Sequence, residues 1–220
     1  MKGVRQIAMQ RAGLRSISYV GLLIAVVAAS GPSLDAEPIA GGEPDAPAAD
    51  ESRPRVVIRL ANTAQIPANQ LALAQQRAAE IYDRAGVSVD WRRAKALDDG
   101  RLPIGQESME VYVVLAPDRL TGVICGANHL SESAMGVAMV ANRHLAYVFT
   151  DRIAYLAARR SQLTSSLLGD VIAHEVGHLL LPESGHTRDG VMRPNLETRQ
   201  HTAGRFTDAQ AAALRERLAR

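Results

Sequence analysis

The chain of 220 residues has a single cysteine, Cys125, so no disulfide can form within it, whatever compartment it occupies. Lysine is nearly absent too, at positions 2 and 95 only, and 23 of the 25 basic residues are arginine. With alanine abundant, that skew reads as a coding bias. Aromatic residues make up only 4%, and no basic block with interleaved aromatics follows the N-terminal region, so no nucleic-acid partner is expected. Long apolar runs are also missing. The longest candidate, Tyr19 to Ala29, is well short of the roughly 20 residues that span a bilayer.

What that run does have is a basic approach and a small-residue exit. Lys2, Arg5, Arg11 and Arg15 precede it, and it closes on Ala28 and Ala29 with Ser30 next. The pattern predicts a secretory signal over residues 1–36, cleaved after Ser30 or Ala36, with an uncleaved anchor as the alternative. No cysteine lies near it, which excludes lipid attachment through a thiol. The expectation is therefore a secreted or periplasmic protein with no stable membrane association after cleavage. Once residues 1–36 are removed, 21 basic and 22 acidic residues remain, a formal charge of −1 that points to no strongly charged partner. Residues 37–54 hold Pro38, Pro44, Pro47 and Pro54 with Gly41-Gly42. Such a stretch buries too little apolar surface to offset its ordering entropy, and reads as a flexible linker.

Residues 55–220 read as one mixed α/β domain. Val56–Leu60, Val87–Trp91, Val111–Leu115, Val137–Val140 and Ala146–Phe149 are strand-like. Pro67 suits a first helical turn, after which Leu71, Ala74, Ala78, Ile81 and Ala85 recur at helical spacing until Gly86. A helical segment starts near Asp151, breaks before Thr164, and continues to Leu181 with Pro182 as its stop. Thr207 and Gln210 have capping-box spacing at the head of a C-terminal helix. Residues 117–135 read as loops.

The chemistry concentrates on that second long helix, at His174-Glu175-Val176-Gly177-His178. Residues four apart on a helix are about 40° apart around its axis, so both imidazoles leave one face and can share a metal ion. A catalytic zinc needs a third protein ligand and an open position. His186, past the break at Pro182, is the expected third ligand. Glu183, Asp189, His201, His129 and His144 are the alternatives. Glu175, beside His174, is placed to act as general base on an activated water. Gly177 is costly inside a helix and implies close packing against a neighbouring segment. Arg188 and Arg193 are read as solvated arginines outside the catalytic set, and Cys125 as a small buried thiol.

These residues resemble the metzincin clan of zinc peptidases, in which the helix motif is followed by a third histidine and then by a methionine turn, here Gly190-Val191-Met192. The clan has a glycine three residues after its second histidine and its last ligand three residues further on. Leu181 and Ser184 stand there in this chain, and His186 comes two residues later. The chain is more closely similar to secreted bacterial zincin-like proteins in which the third histidine has the spacing of His186, although Pro182 stands in place of a glycine. That likeness extends to Ala79–Trp91 and Phe206–Gln210.

The resemblance implies a zincin-like mixed sheet, an active-site helix, a metal loop with Met192 beneath the ion, and a C-terminal helix. It also implies Zn2+ held by His174, His178 and His186, with Glu175 as the catalytic base. The substrate would be a peptide or protein laid along the Gly136–Met139 strand at the cleft edge. Spacing alone points only to a hydrolytic metal site. A hydrolase of a non-peptide amide and a secreted zinc-binding module without turnover are the competing expectations.

Overall fold

Alternation of Val56, Ile58 and Leu60 makes one face of β1 (Arg55–Ala61) fully apolar, which suits a strand packed under helices. The computed structural model describes residues 53–94, 110–139, 144–160, 163–181, 185–194 and 204–219. The predicted signal lies outside these residues, as does the linker up to Ser52. Arg53 and Pro54 are already fastened to the fold: Arg53 Nη1 donates to Asp83 Oδ1 at 2.8 Å, and the Pro54 carbonyl accepts from the Ser88 amide at 2.9 Å. Among the described residues no helix is long and apolar enough to cross a membrane.

Helix α1 (Ala68–Arg84) follows β1 and is stopped by Gly86, whose φ of +79° is a left-handed conformation that glycine adopts without strain. Then come β2 (Ser88–Arg93), β3 (Glu110–Ala116), α2 (Asp118–Asn128), β4 (Gly136–Ala138) and β5 (Leu145–Phe149). Helices α3 (Thr150–Arg159), α4 (Thr164–Leu180) and α5 (Asp208–Leu218) complete the order. The five strands form one sheet in the order β2-β1-β3-β5-β4. All neighbours are parallel except β4, which runs antiparallel to β5 at the edge.

Both faces of the central strands are covered, as a parallel sheet requires. Val111, Val113, Leu115, Ala146 and Val148 point to the core shared with α1, α3, α4 and α5. Val114, Ala116, Tyr147 and Phe149 point the other way, against Ile124 and Cys125 of α2. Helix α2 corrects the loop expected over 117–135. Gly122 and Gly126 weaken its helical signal, and the apolar contact of Ile124 and Cys125 with the sheet overrides that propensity.

Helix α4 is buried on nearly every side, against the sheet, α1 and the residues Val191, Met192 and Phe206. Its C-cap is Leu181; Pro182, the expected stop, lies outside the described residues. The site is positioned by this burial.

Candidate metal centre

His174 and His178 leave the same face of α4 one turn apart, and the chain beyond the helix brings His186 back to them. The Nε2 atoms of His174 and His178 are 3.1 Å apart, and those of His178 and His186 are 3.2 Å apart. The three imidazoles form a group able to hold a metal ion, their ligand atoms all within 4.8 Å of one another. Of the alternatives weighed for the third position, Asp189, His129 and His144 are not in this group. Glu183 and His201 lie outside the described residues.

The ring of His174 is oriented from behind. Its Nδ1–H donates to the Val191 carbonyl at 2.7 Å, which fixes the tautomer and leaves the Nε2 lone pair facing the other two rings. Val191 reaches that position because Gly190 takes φ +87°, and because the Val191 amide donates to the Arg205 carbonyl at 2.8 Å. The next residue, Met192, is fully buried. Its sulfur lies over Gly177, where a side-chain carbon would collide with it and come within 3.2 Å of the Phe206 ring. This is the close packing that a mid-helix glycine implied.

Burial makes proton uptake by His174 and His178 unfavourable. The pKa of His178 is pushed down to about 4, first by burial and then by the neighbouring His174 and His186. His174 is also lowered, chiefly by burial and against the favourable bond to Val191. His174 and His178 are thus held neutral, the form in which imidazole binds a metal.

Glu175 points to the other side of the same cleft, which has a volume of about 390 Å³ and is lined there by β4. Its carboxyl lies against Gly136, where even a Cβ would come within 2.6 Å of Oε1. Burial raises its pKa to about 8, partly offset by the Ala138 amide, which donates to the carboxylate. The ladder bonds Phe149 N–H to Met135 O and Met139 N–H to Leu145 O face β5. The main-chain groups of Gly136 and Ala138 therefore face away from β5, towards the cleft.

Val191, Gly136 and Ala138 act through their backbones and left no signal in the pattern of side chains. Arg193, read as solvated, is in fact buried, and its charge helps hold down the pKa of Asp170, which burial raises. No family model matches the chain, and no curated protein is detectably similar to it.

Proposed function

We propose that this protein is an exported zinc-dependent peptidase of the zincin type. The observation that carries the reading is the convergence of three imidazoles and one buried glutamate on a single cleft. The nitrogen spacings of 3.1 and 3.2 Å are close to the roughly 3.3 Å separating two corners of a tetrahedral zinc site with bonds of about 2.0–2.1 Å. Three histidines and no thiolate form a donor set that suits zinc, with one position left for water or substrate. The antiparallel edge strand over the cleft and the buried methionine beneath it agree with the metzincin-like resemblance of the sequence. Export rests on the signal expected over residues 1–36.

Zinc bound by His174, His178 and His186 supplies Lewis acidity that polarises a carbonyl and acidifies a water. The chain's own residues do the rest. The outward main-chain groups of Gly136 and the Ala138 carbonyl hold an extended peptide as an added strand across the cleft, while the Ala138 amide stays with Glu175. Glu175 takes the proton of the attacking water on its carboxylate and returns it to the leaving amine. A dication next to that carboxylate favours its ionised form, opposing the effect of burial.

The test is metal analysis combined with cleavage of a broad peptide library. Parent protein is expected to carry one zinc and to cleave; chelation abolishes cleavage, and zinc restores it. Glu175→Gln is expected to keep the zinc and lose turnover. Turnover that survives complete chelation refutes the proposal. A parent that binds zinc and cleaves no peptide leaves the zinc-binding module as the reading.

A further inference from the structure

His186 is the exposed member of the triad, and it sits on a loop rather than on α4. Gly185, His186, Arg188 and Asp189 are all exposed, and Thr187 alone among residues 185–189 is half-buried. Nothing in the hydrophobic core fixes this ligand. Thr187, the adjacent residue, is tied in three directions. Its amide donates to the Met192 carbonyl at 2.9 Å, and its hydroxyl donates to the Asp189 carbonyl at 2.8 Å. The same hydroxyl accepts from Gln210 Nε2 at 3.4 Å.

Gln210 is a buried residue in the first turn of α5. Its Oε1 accepts from the Thr207 amide at 3.0 Å, closing the capping box, and that bond leaves its NH2 directed at Thr187. A hydroxyl that donates once still has lone pairs, so Thr187 can satisfy the turn and α5 together. The C-terminal helix thereby reaches the residue next to the third ligand.

We propose that Thr187, docked on Gln210, is a positioning residue that holds His186 at the metal centre and so sets metal affinity. The inference rests on the metal-binding reading above. Without the tie, the loop must be ordered when the ion binds, and affinity falls by that cost.

Four substitutions and one titration test it. Zinc affinity is measured by competition with a chromophoric chelator on the full chain, alongside the visible spectrum of the Co2+-loaded protein and the melting temperature without metal. Thr187→Val is expected to bind zinc about tenfold more weakly, at the low end for residues that orient ligands, and to alter the Co2+ bands, while the metal-free melting temperature falls no further than in Thr207→Ala. Thr187→Ser, which keeps the hydroxyl, is expected to retain the parent's affinity. Gln210→Met and Thr207→Ala both break the capping box, but only the first loses the contact with Thr187. Gln210→Met should weaken zinc binding, and Thr207→Ala should lower the melting temperature alone. Parent-like affinity in Thr187→Val overturns the proposal, as does equal weakening in Thr207→Ala. If the parent itself binds no zinc, the metal-centre reading fails, and this inference with it.

Discussion

Gly136 has no room for a methyl group. A Cβ there would sit 2.6 Å from Glu175 Oε1 and 2.7 Å from its Cγ, so the glutamate must move or the strand must shift. The atoms nearest that methyl group all belong to Glu175 and none to the three histidines. Gly136→Ala is therefore expected to keep its zinc and lose about 100-fold in kcat, the usual cost of displacing a reacting group by an ångström. Zinc content and turnover measured on one preparation check this, and undiminished turnover would place the base elsewhere. Gly177 is the counterpart on the floor of the site. Adding a methyl group pushes on the Met192 sulfur and on Phe206, and overpacking of that kind costs about 1–3 kcal/mol. The Gly177→Ala protein should melt earlier, with the loss visible without metal.

At the scale of elements, α4 is placed by α1 as much as by the sheet. Tyr82 of α1 is fully buried and donates its hydroxyl to the Ala173 carbonyl at 3.1 Å, one residue before the first ligand. Lower on the same helix, Arg77 Nε donates to Asp170 Oδ1 at 2.8 Å. Tyr82→Phe should cost about 1 kcal/mol in denaturant unfolding, the usual net worth of a buried hydrogen bond whose acceptor retains its helical partner. A loss several times larger would mean that the hydroxyl holds more than this carbonyl. How far such arrangements are legible in sequence depends on what carries them. Strands β1, β2, β3 and β5 announced themselves through runs of β-branched and aromatic residues, and α5 through Thr207 and Gln210, whose capping box is present. The histidines were legible because the spacing of a motif on a helix is a local fact. Helix α2 was not, because its two glycines mask a helix held by tertiary contact. The Val191 carbonyl, the Ala138 amide and the space above Gly136 were not either, since each joins a backbone atom to a side chain 17 to 39 residues away. No side-chain pattern encodes such a pairing.

For the molecule as a whole, metal binding on the proposed reading would be one equilibrium with folding, because the three histidines converge only when α4 and the loop from 185 to 192 are assembled. Zinc at 100 times its dissociation constant should add about 2.7 kcal/mol to unfolding free energy, and chelation should remove it. The pH dependence without metal follows from the groups buried at the centre. His178 takes up its proton at its usual 6.5 in the unfolded chain but only near 4 when folded, so its contribution is lost as pH falls from 6.5 towards 4. Glu175 acts in the opposite sense. Unfolded, it ionises near 4.5, and folded only near 8, so stability is lost as pH rises across that interval. Between 4.5 and 6.5 the two oppose each other; from 6.5 to 8 the glutamate acts without the histidine. Metal-free parent should therefore unfold at lower denaturant concentration at pH 8 than at pH 6.5, and Glu175→Gln should abolish that difference and be the more stable protein at pH 8. Zinc should suppress the decline in the parent as well, because a dication beside the carboxylate favours its ionised form. Denaturant curves at the two pH values, with chelator and with zinc, decide the matter. A parent without the decline, or a glutamine variant that retains it, would show that Glu175 is not the buried acid of this cleft.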